Sequence, residues 1–479
     1  MRVLIVATNR ERAPLPVVPI GASIIASVTK EEGHDVRFVD LMFQRRPKRA
    51  LAEAVQSFRP DAIGLSIRNL DSTSWLKSTF YLDDAREYVR IAKTGGVPVI
   101  VGGPCLGVHP GGITEYVRAD AGVWGDGEAA FPEILRRIER GQPFDDVPGV
   151  VTCTEDAPPK VNPQYRVEDL GELARPRVWQ WTNFRQYADR TGPLPIQTRR
   201  GCVFNCSYCT YKFIEGDSYR SKPVEQVVDE LREMKEAFPG APVEFVDSTF
   251  NVPLPYTIAM CEAIAEADLG LHLHTSGFNP AAVNERLIDA MTAAGFSQVV
   301  ITPETASDRM LRSLQKGFTV RSLRKCAQLR KRAPWSVLWV FLLGGPGEDE
   351  ETLAETFKFL EEEIPSEDMV FLQPGLRVYP NTKLHRDAIA EGLLSPDEPL
   401  IRPFYYLSPR VPEMRYREIL VEEIAKHPNY TTIKDVLHPF FPLYLRIAGG
   451  LRVAAPISRA AGGLSKLASI GLRRPGASV

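Results

Sequence analysis

Three cysteines, Cys202, Cys206 and Cys209, are crowded into the short sequence RRGCVFNCSYCTY, directly after an apolar segment. With this C-x3-C-x2-C spacing, three thiolates on one loop can converge on three corners of an iron–sulfur cubane and leave one iron without a protein ligand. Such an iron can bind a further molecule, whereas a fourth cysteine would close the site. Zinc is the alternative, but zinc sites favour paired C-x2-C units, and no such pairing links the other cysteines, Cys105, Cys153, Cys261 and Cys326.

Further polar residues follow the apolar segments downstream of the cysteines. The sequence FVDSTFN places Asp247, Ser248 and Asn251 at the end of a predicted strand, where they could bind a ligand or where Asp247 could cap the next helix. His272 and His274 are two residues apart on the next predicted strand and therefore lie on one face of it. They could point into a binding site, but a pair of ordinary core or surface histidines is the simpler interpretation.

The composition describes an ordinary globular protein. A chain of 479 residues is long enough for two domains and an appendage, and 44% hydrophobic with 25% charged residues argues against disorder or a membrane bundle. The net charge of -2 gives no reason to expect nucleic-acid binding. The opening sequence MRVLIVATNRERAP lacks the features of a secretory signal, and clustered cysteines suit a reducing compartment, so we expect a cytoplasmic protein.

Residues 1–141 alternate apolar runs with helical patterns, which is typical of a parallel sheet covered by helices. The five predicted strands are VLIVAT, VRFVDL, AIGLSI, PVIVGG and AGVWG. This order predicts a Rossmann-like or flavodoxin-like α/β domain whose ligand lies at the carboxyl ends of the strands. Residues 142–190 are rich in proline and weak in periodicity, and we interpret them as a linker.

Residues 191–390 contain a second alternating series, with six strands predicted at PIQTRR, VEFVDS, LHLHTSG, QVVITPE, VLWVFLLGG and MVFLQPGLRV. Six strand–helix units predict a partial (β/α)6 barrel of the TIM type with its chemistry at the carboxyl ends of the strands. Residues 391–479 are predicted to form a helical C-terminal extension. Its end is apolar and basic, with a cation every seven residues, and could lie on an anionic membrane or pack on the barrel: Arg452, Arg459, Lys466 and Arg473.

The segment CVFNCSYC, with Tyr208 before its third cysteine, resembles the cluster motif of the radical S-adenosylmethionine (SAM) superfamily. The resemblance implies that Cys202, Cys206 and Cys209 hold a catalytic [4Fe-4S] cluster and that SAM chelates its fourth iron. It also implies reductive cleavage of SAM to methionine and a 5′-deoxyadenosyl radical, which abstracts a hydrogen from the substrate. The residues that the resemblance assigns to SAM are Tyr208, Asp247, Glu304, Gly344 and Gly345, and those assigned weakly to substrate or SAM are Arg377 and Tyr379.

The glycine and acidic assignments have structural alternatives. ITPETASDRML could be a helix-capping region around Glu304, and LGGPGEDEETL could be a plain loop before a capped helix. In the SAM interpretation, Gly344 and Gly345 let the backbone approach the adenine.

The front half resembles, in order, the cobalamin-binding domain that precedes the barrel in a large radical SAM subfamily. The segments PIGASIIASVTKEEGHDVRFVDL, IGLSIRNLD, VIVGGP and GVWGDGEAAFPEIL carry the resemblance. A dinucleotide site is the rival, but the turn after the first strand lacks G-x-G-x-x-G. The D-x-H-x-x-G sequence that supplies a histidine to cobalt is also missing, and His109 is a weak candidate for that role. The predicted cobalamin-binding residues are Ser66, Arg68, Asn69, Leu70, Gly102, Gly103, Gly125 and Gly127.

The resemblance implies a cobalamin-dependent methyltransferase that acts on an unactivated carbon through the deoxyadenosyl radical and methylcobalamin. A radical SAM enzyme that uses cobalamin for ring contraction or cyclisation without net methylation remains open, as does a non-catalytic carrier of cobalamin or an iron–sulfur cluster. The expected partners are a small-molecule substrate, either lipid-like or a natural-product intermediate, and an electron donor such as flavodoxin or ferredoxin.

Overall fold

The computed structural model describes residues 1–154 and 157–432, and the front part of the chain folds around a seven-stranded sheet. In chain order its elements are β1 (Arg2–Ala7), α1 (Ile20–Glu31), β2 (Asp35–Asp40), α2 (Pro47–Phe58), β3 (Ala62–Ser66), α3 (Leu82–Ala92), β4 (Val99–Gly102), α4 (Pro110–Val117), β5 (Ala121–Val123), α5 (Gly127–Glu139), β6 (Val150–Thr154) and β7 (Ala157–Val161).

The five predicted strands of the front sheet are confirmed. They pair in parallel in the order β2-β1-β3-β4-β5, the flavodoxin-like order that places a ligand at the carboxyl edge. Four of these strands are almost wholly buried because helices cover both faces. Within the segment that we interpreted as a linker, β6 and β7 extend the sheet in antiparallel fashion.

The second part of the chain forms the barrel. Its elements are α6 (Phe184–Ala188), β8 (Leu194–Ile196), β9 (Arg199–Arg200), α7 (Tyr211–Glu215), β10 (Arg220–Ser221), α8 (Val224–Ala237), β11 (Val243–Phe245), α9 (Leu254–Glu266), β12 (Leu273–Phe278), α10 (Glu285–Ala294), β13 (Phe296–Glu304), α11 (Asp308–Ser313), α12 (Val320–Arg330), β14 (Ser336–Leu343), α13 (Glu350–Glu363), β15 (Met369–Pro374), β16 (Leu376–Arg377), α14 (Lys383–Ala390), β17 (Tyr405–Tyr406), α15 (Glu413–Lys426) and β18 (Tyr430–Thr431).

The barrel strands pair in parallel in the order β8-β11-β12-β13-β14-β15-β18, which confirms the partial barrel and adds β18 as a seventh strand. The predicted first strand, PIQTRR, is divided into β8 and β9. Its backbone turns away from the sheet where Asp247 accepts hydrogen bonds from the amides of Thr198 and Arg199, at 2.7 and 3.1 Å.

The strands of the barrel alternate between a buried outer face and a half-buried inner face. On β14, Trp339 and Phe341 belong to the large core between the sheet and its helices, whereas Leu338, Val340 and Leu342 face the lumen. Within the described residues, no helix combines the length and the apolar character needed to cross a bilayer. The basic stripe from Arg452 to Arg473 lies outside those residues.

Candidate active site

The cysteine loop, residues 201–219, leaves the barrel between two short paired strands. Arg200 of β9 is the register partner of Arg220 of β10, so the two ends of the loop are held side by side. The loop begins at Gly201 with φ +96°, where a Cβ atom would come within 1.9 Å of the carbonyl oxygen of Ser218. Only glycine fits this entry. The next residue, Cys202, donates its amide hydrogen to the carbonyl of Gly216 at 2.9 Å.

The loop brings the three cysteines together as free thiols. Cys202 is buried, with its Sγ 3.4 Å from the Oγ1 of Thr249, and the other two are half-buried. Burial raises the pKa of Cys206, and it raises the pKa of Cys209 to about 12. Metal binding would therefore have to supply the free energy that ionises these sulfurs.

The spacing of the sulfurs tests whether the loop fits a cluster. The three sulfurs do not all lie within 4.8 Å of one another. A single zinc ion with bonds of about 2.3 Å would hold its sulfurs roughly 3.8 Å apart. Three corners of a cubane hold their sulfurs more widely apart, so the spacing of the loop is compatible with an iron–sulfur cluster.

Beside the cysteines lies a buried group of three polar side chains. The hydroxyl of Tyr208 donates to Oε1 of Glu304 at 2.8 Å, and Nζ of Lys316 lies 3.1 Å from both of these oxygens. Burial alone would lower the pKa of Lys316, but the carboxylate of Glu304 raises it above its usual value. Sequence reasoning missed Lys316, and no local signal in the sequence RSLQKGFT marks this lysine as buried.

Glu304 has two features of a ligand-binding residue. Its backbone adopts φ +68°, a left-handed conformation that is costly for a side chain with a Cβ atom and is concentrated at functional sites. Its second oxygen, Oε2, has no hydrogen-bond partner among the described residues, while Oε1 is held by Tyr208 and Lys316. The structure thus supports the predicted position of Glu304 at the mouth of the barrel.

The contacts of Asp247 do not support its predicted role in binding SAM. Its carboxylate is buried and accepts three hydrogen bonds, from the amides of Thr198 and Arg199 and from the hydroxyl of Thr198. It therefore positions the chain that leads into the cysteine loop. Its neighbours are used in the same way, since Ser248 donates to the carbonyl of Gly201 and Asn251 bonds the backbone of residues 279 and 282.

Gly344 and Gly345, which were predicted to let the backbone approach the adenine, lie against protein side chains. A Cβ atom on Gly344 would be 2.5 Å from Cδ2 of Leu407, and one on Gly345 would be 2.9 Å from Cε of Met310. Protein side chains already occupy the space that both glycines leave. These glycines are needed for packing, and the following Glu348 is buried beside them.

Arg377 was predicted to reach substrate or SAM, but each of its three guanidinium nitrogens donates a hydrogen bond to another part of the protein. Its Nε donates to Asp71 of the front domain at 2.8 Å, and its other nitrogens donate to the carbonyls of Val378 and Leu400. The ring of Tyr379 packs against this guanidinium at 4.8 Å. We call the buried pair of Arg377 and Asp71, together with these carbonyls, the Asp71 contact.

At the carboxyl edge of the front sheet, some of the predicted cobalamin-binding residues have free space beside them and others pack against protein atoms. Arg68 is exposed, Ser66 and Asn69 are half-buried, and a Cβ atom on Gly102 would meet nothing closer than 3.8 Å. These positions leave room for a ligand. Leu70 is buried in the core of the front domain.

The other three glycines of this set approach protein atoms. Gly103, with φ +103°, packs against the backbone of Ile67, while Gly125 packs against residues 164 and 165 and Gly127 packs against Ile25. His109 caps α4 by accepting a hydrogen bond from the amide of Gly112 at 3.2 Å, so its side chain has a structural role without a metal.

The lumen of the barrel has two chemically different walls. Glu244 of β11 and His274 of β12 are register partners with half-buried side chains. Burial raises the pKa of Glu244 and lowers the pKa of His274 to about 4, so that the histidine is neutral near pH 7. The opposite wall, on β14 and β15, is apolar and includes Leu338, Val340 and Phe371.

A buried ionic contact joins the front domain to the base of the cysteine loop, and sequence reasoning missed it. Asp126 and Glu128 bind Arg200 at 2.8 and 2.5 Å, and Asp126 also binds Arg220. Burial on its own would raise the pKa of Asp126, but the two arginines lower it below its usual value. We call these four side chains the Asp126 contact.

Two family models match the chain. The radical SAM superfamily matches residues 196–360, and the B12 binding domain matches residues 8–135. The matched ranges contain the cysteine loop and the open edge of the front sheet, respectively.

Similar proteins match either nearly the whole chain or about half of it. An uncharacterised methyltransferase of Pyrococcus horikoshii is 26% identical over 92% of this chain and 93% of its own length. Hopanoid C-3 methylase of Methylococcus capsulatus is 27% identical over 52% of this chain and 46% of its own length. Among solved structures, the radical SAM methyltransferase TsrM from Kitasatospora setae, with cobalamin and a [4Fe-4S] cluster bound, is similar with a TM-score of 0.83, at 20% identity, over 99% of this chain and 100% of that one.

Proposed function

This chain belongs to the radical SAM proteins that carry a B12-binding domain, and we propose that it is a cobalamin-dependent methyltransferase acting on a carbon of a small molecule. When bound, the [4Fe-4S] cluster, SAM and cobalamin would supply the electron transfer, the radical and the methyl transfer. Both similar proteins are named as methylating enzymes, and the name of the hopanoid C-3 methylase specifies a carbon as the acceptor.

The residues of the chain divide these tasks. Cys202, Cys206 and Cys209 would hold the cluster, and the free oxygen of Glu304 would accept a hydrogen bond from a polar group of SAM, with Lys316 beside it as a fixed positive charge. The front edge around Arg68 and Gly102 would hold cobalamin. An external electron donor such as flavodoxin or ferredoxin completes the proposal.

The observation that carries the proposal is that the two proposed cofactor regions face one another. Arg68, on the loop after β3, is close enough to the lumen to act on Glu244: burial raises the pKa of this carboxyl group, and Arg68 partly offsets the rise. Gly107 of the front domain packs directly on Ile214 of the cysteine loop. A substrate in the lumen would thus be accessible from both cofactors.

The two walls of the lumen indicate the class of substrate. A molecule with an extended apolar part could lie against Leu338 and Phe371, and a polar group on it could bond Glu244 or His274. We therefore propose an amphiphilic substrate, which is compatible with a lipid-like molecule or a natural-product intermediate.

The test uses full-length protein purified without oxygen and supplied with iron, sulfide and hydroxocobalamin. With SAM and a low-potential reductant, the wild type should release about one S-adenosylhomocysteine per bound cobalamin and also form 5′-deoxyadenosine. Formation of 5′-deoxyadenosine alone would favour a rearrangement or cyclisation. Formation of neither would leave a carrier protein and overturn the proposal.

Two variants assign the cofactors to separate regions. Cys206→Ala should lose the iron–sulfur absorption and the 5′-deoxyadenosine while keeping the bound corrin. Cys153→Ala, which changes a half-buried cysteine in β6, is the matched control and should retain both cofactors. Retention of a full cluster by Cys206→Ala would contradict the assignment of the loop.

A further inference from the structure

A second group of potential metal ligands lies on the outside of the barrel, where α13, α15 and β18 meet. It consists of Glu361 of α13, Glu423 of α15 and His427, which follows the last turn of α15. One ligand atom from each side chain lies within 4.8 Å of the other two. Among the described residues, no other group of three histidine, cysteine or carboxylate side chains meets this condition.

Two polar atoms of this group are buried and form no hydrogen bond. Glu423 is 8% exposed, and its Oε2 forms no hydrogen bond, although Lys426 binds its other oxygen at 2.8 Å. Nε2 of His427 is also buried and has no hydrogen-bond partner. Buried polar atoms are normally paired, because leaving one unpaired costs about 1–3 kcal/mol.

The distances in the group fit a shared ion better than direct hydrogen bonds. Nε2 of His427 is 3.5 Å from Oε1 of Glu361 and 3.7 Å from Oε2 of Glu423. Both separations exceed the usual N–H···O range of about 2.7–3.2 Å. Zinc with bonds of about 2.0–2.2 Å to nitrogen and oxygen would hold its tetrahedral ligands roughly 3.3–3.6 Å apart.

The ring of His427 is already oriented for this role. It stacks on Tyr430 with the ring centroids 4.4 Å apart, and its amide donates to the carbonyl of Glu423 at 2.9 Å. Two carboxylates would balance the charge of a divalent ion, and a solvent molecule could complete four-coordination on the exposed side of Glu361.

We infer that Glu361, Glu423 and His427 form a structural site for a divalent transition metal, with zinc as the ion that best matches the ligand set. The site connects α13 to the end of α15 and to β18, an edge strand of two residues that pairs with β15 alone in the described sheet. Its role is to hold this last strand of the barrel in place, and it is independent of the cysteine loop.

The test measures zinc in the full-length, cofactor-loaded protein after treatment with EDTA and titration with zinc sulfate. The wild type should bind one zinc more than Glu423→Gln, a variant that keeps the shape of the side chain. In His427→Ala, the affinity for zinc should fall by at least about tenfold. Zinc should raise the melting temperature of the wild type and leave that of both variants unchanged. The matched control is His385→Ala, which removes another histidine whose Nε2 is buried and unpaired and should behave like the wild type.

Zinc that binds at an emptied cysteine loop is distinguished by its dependence on Cys206. Zinc in the cysteine loop would remain bound in Glu423→Gln and be lost in Cys206→Ala. Zinc at the proposed site would be lost in Glu423→Gln and remain bound in Cys206→Ala. Equal zinc binding by the wild type, Glu423→Gln and His427→Ala would overturn the inference. So would a loss of stability in His427→Ala that is the same with and without zinc, since this result indicates ionic pairing alone.

Discussion

The front domain meets the barrel through two buried ionic contacts that hold different parts of the active site. In the Asp126 contact, two acids face two arginines, and these arginines are the paired residues at the base of the cysteine loop. In the Asp71 contact, one acid faces Arg377, whose remaining donors go to backbone carbonyls. The Asp126 contact can therefore fix the cysteine loop relative to the front domain. The Asp71 contact fixes only β16, the short strand that follows β15.

The largest effect is expected when the Asp126 contact is broken. Asp126→Asn removes the acid that Arg200 and Arg220 share. Arg200 keeps Glu128 but Arg220 loses its acidic partner, and breaking a buried ion pair typically costs about 3–5 kcal/mol. We expect a lower melting temperature and reduced iron per chain after anaerobic reconstitution. Asp146→Asn, at an exposed surface pair, is the control and should change neither. Normal iron retention in Asp126→Asn would show that the contact does not support the loop.

A smaller effect is expected at the Asp71 contact. In Asp71→Asn the amide oxygen can still accept one hydrogen bond, and Arg377 keeps the carbonyls of Val378 and Leu400. We expect a loss of about 1–3 kcal/mol in the free energy of unfolding, measured by denaturant titration, with unchanged iron content. If iron is lost as readily as in Asp126→Asn, the two contacts are not functionally different.

Glu348 is a buried acid that, unlike Asp126 and Asp71, has no arginine partner in the part of the chain that the structure describes. Glu348 forms no ion pair among the described residues, and burial raises its pKa to about 8 from an ordinary 4.5. Between these values the folded state binds more protons than the unfolded state, so stability falls as the pH rises. The wild type should lose on the order of 2 kcal/mol relative to Glu348→Gln between pH 6 and 9. Parallel pH profiles for the two proteins, from melting temperatures, would refute this assignment.

The smallest effect concerns the loop itself. Thr249→Val keeps the shape of the side chain and removes the hydroxyl that lies 3.4 Å from Sγ of Cys202. A hydrogen bond to a cluster sulfur raises the reduction potential, so its loss should lower the midpoint by roughly 20–60 mV, the one-electron equivalent of 0.5–1.5 kcal/mol. Redox titration monitored by electron paramagnetic resonance measures this shift. An unchanged midpoint would mean that Thr249 does not bond the sulfur.

The sequence predicted the fold well where the signal is local and repeated. The alternation of apolar strands and helices identified all five parallel strands of the front sheet and six of the barrel. It failed at β17 and β18, because strands of two residues have no periodicity.

The candidate site was predictable only where its residues are close together in sequence. The three cysteines are neighbours in sequence, so their spacing alone places them on one loop. The partners Arg200 and Asp126 are 74 residues apart, and nothing local in either segment indicates the other. Gly344 shows the same limit, since its small size indicated space for a ligand, and the sequence near it contains no sign that Leu407 packs against it.

The pairing of Arg199 and Arg200 with Arg220 and Ser221 has a consequence for repair after oxygen damage. This short ladder, and not the metal, holds the two ends of residues 201–219 in register. A chain that has lost its irons therefore keeps the loop closed, and binding a new cluster does not require further loss of entropy to bring the ends together. We expect the apoprotein to retain a folded barrel and to accept a new cluster by local rearrangement, without unfolding and refolding.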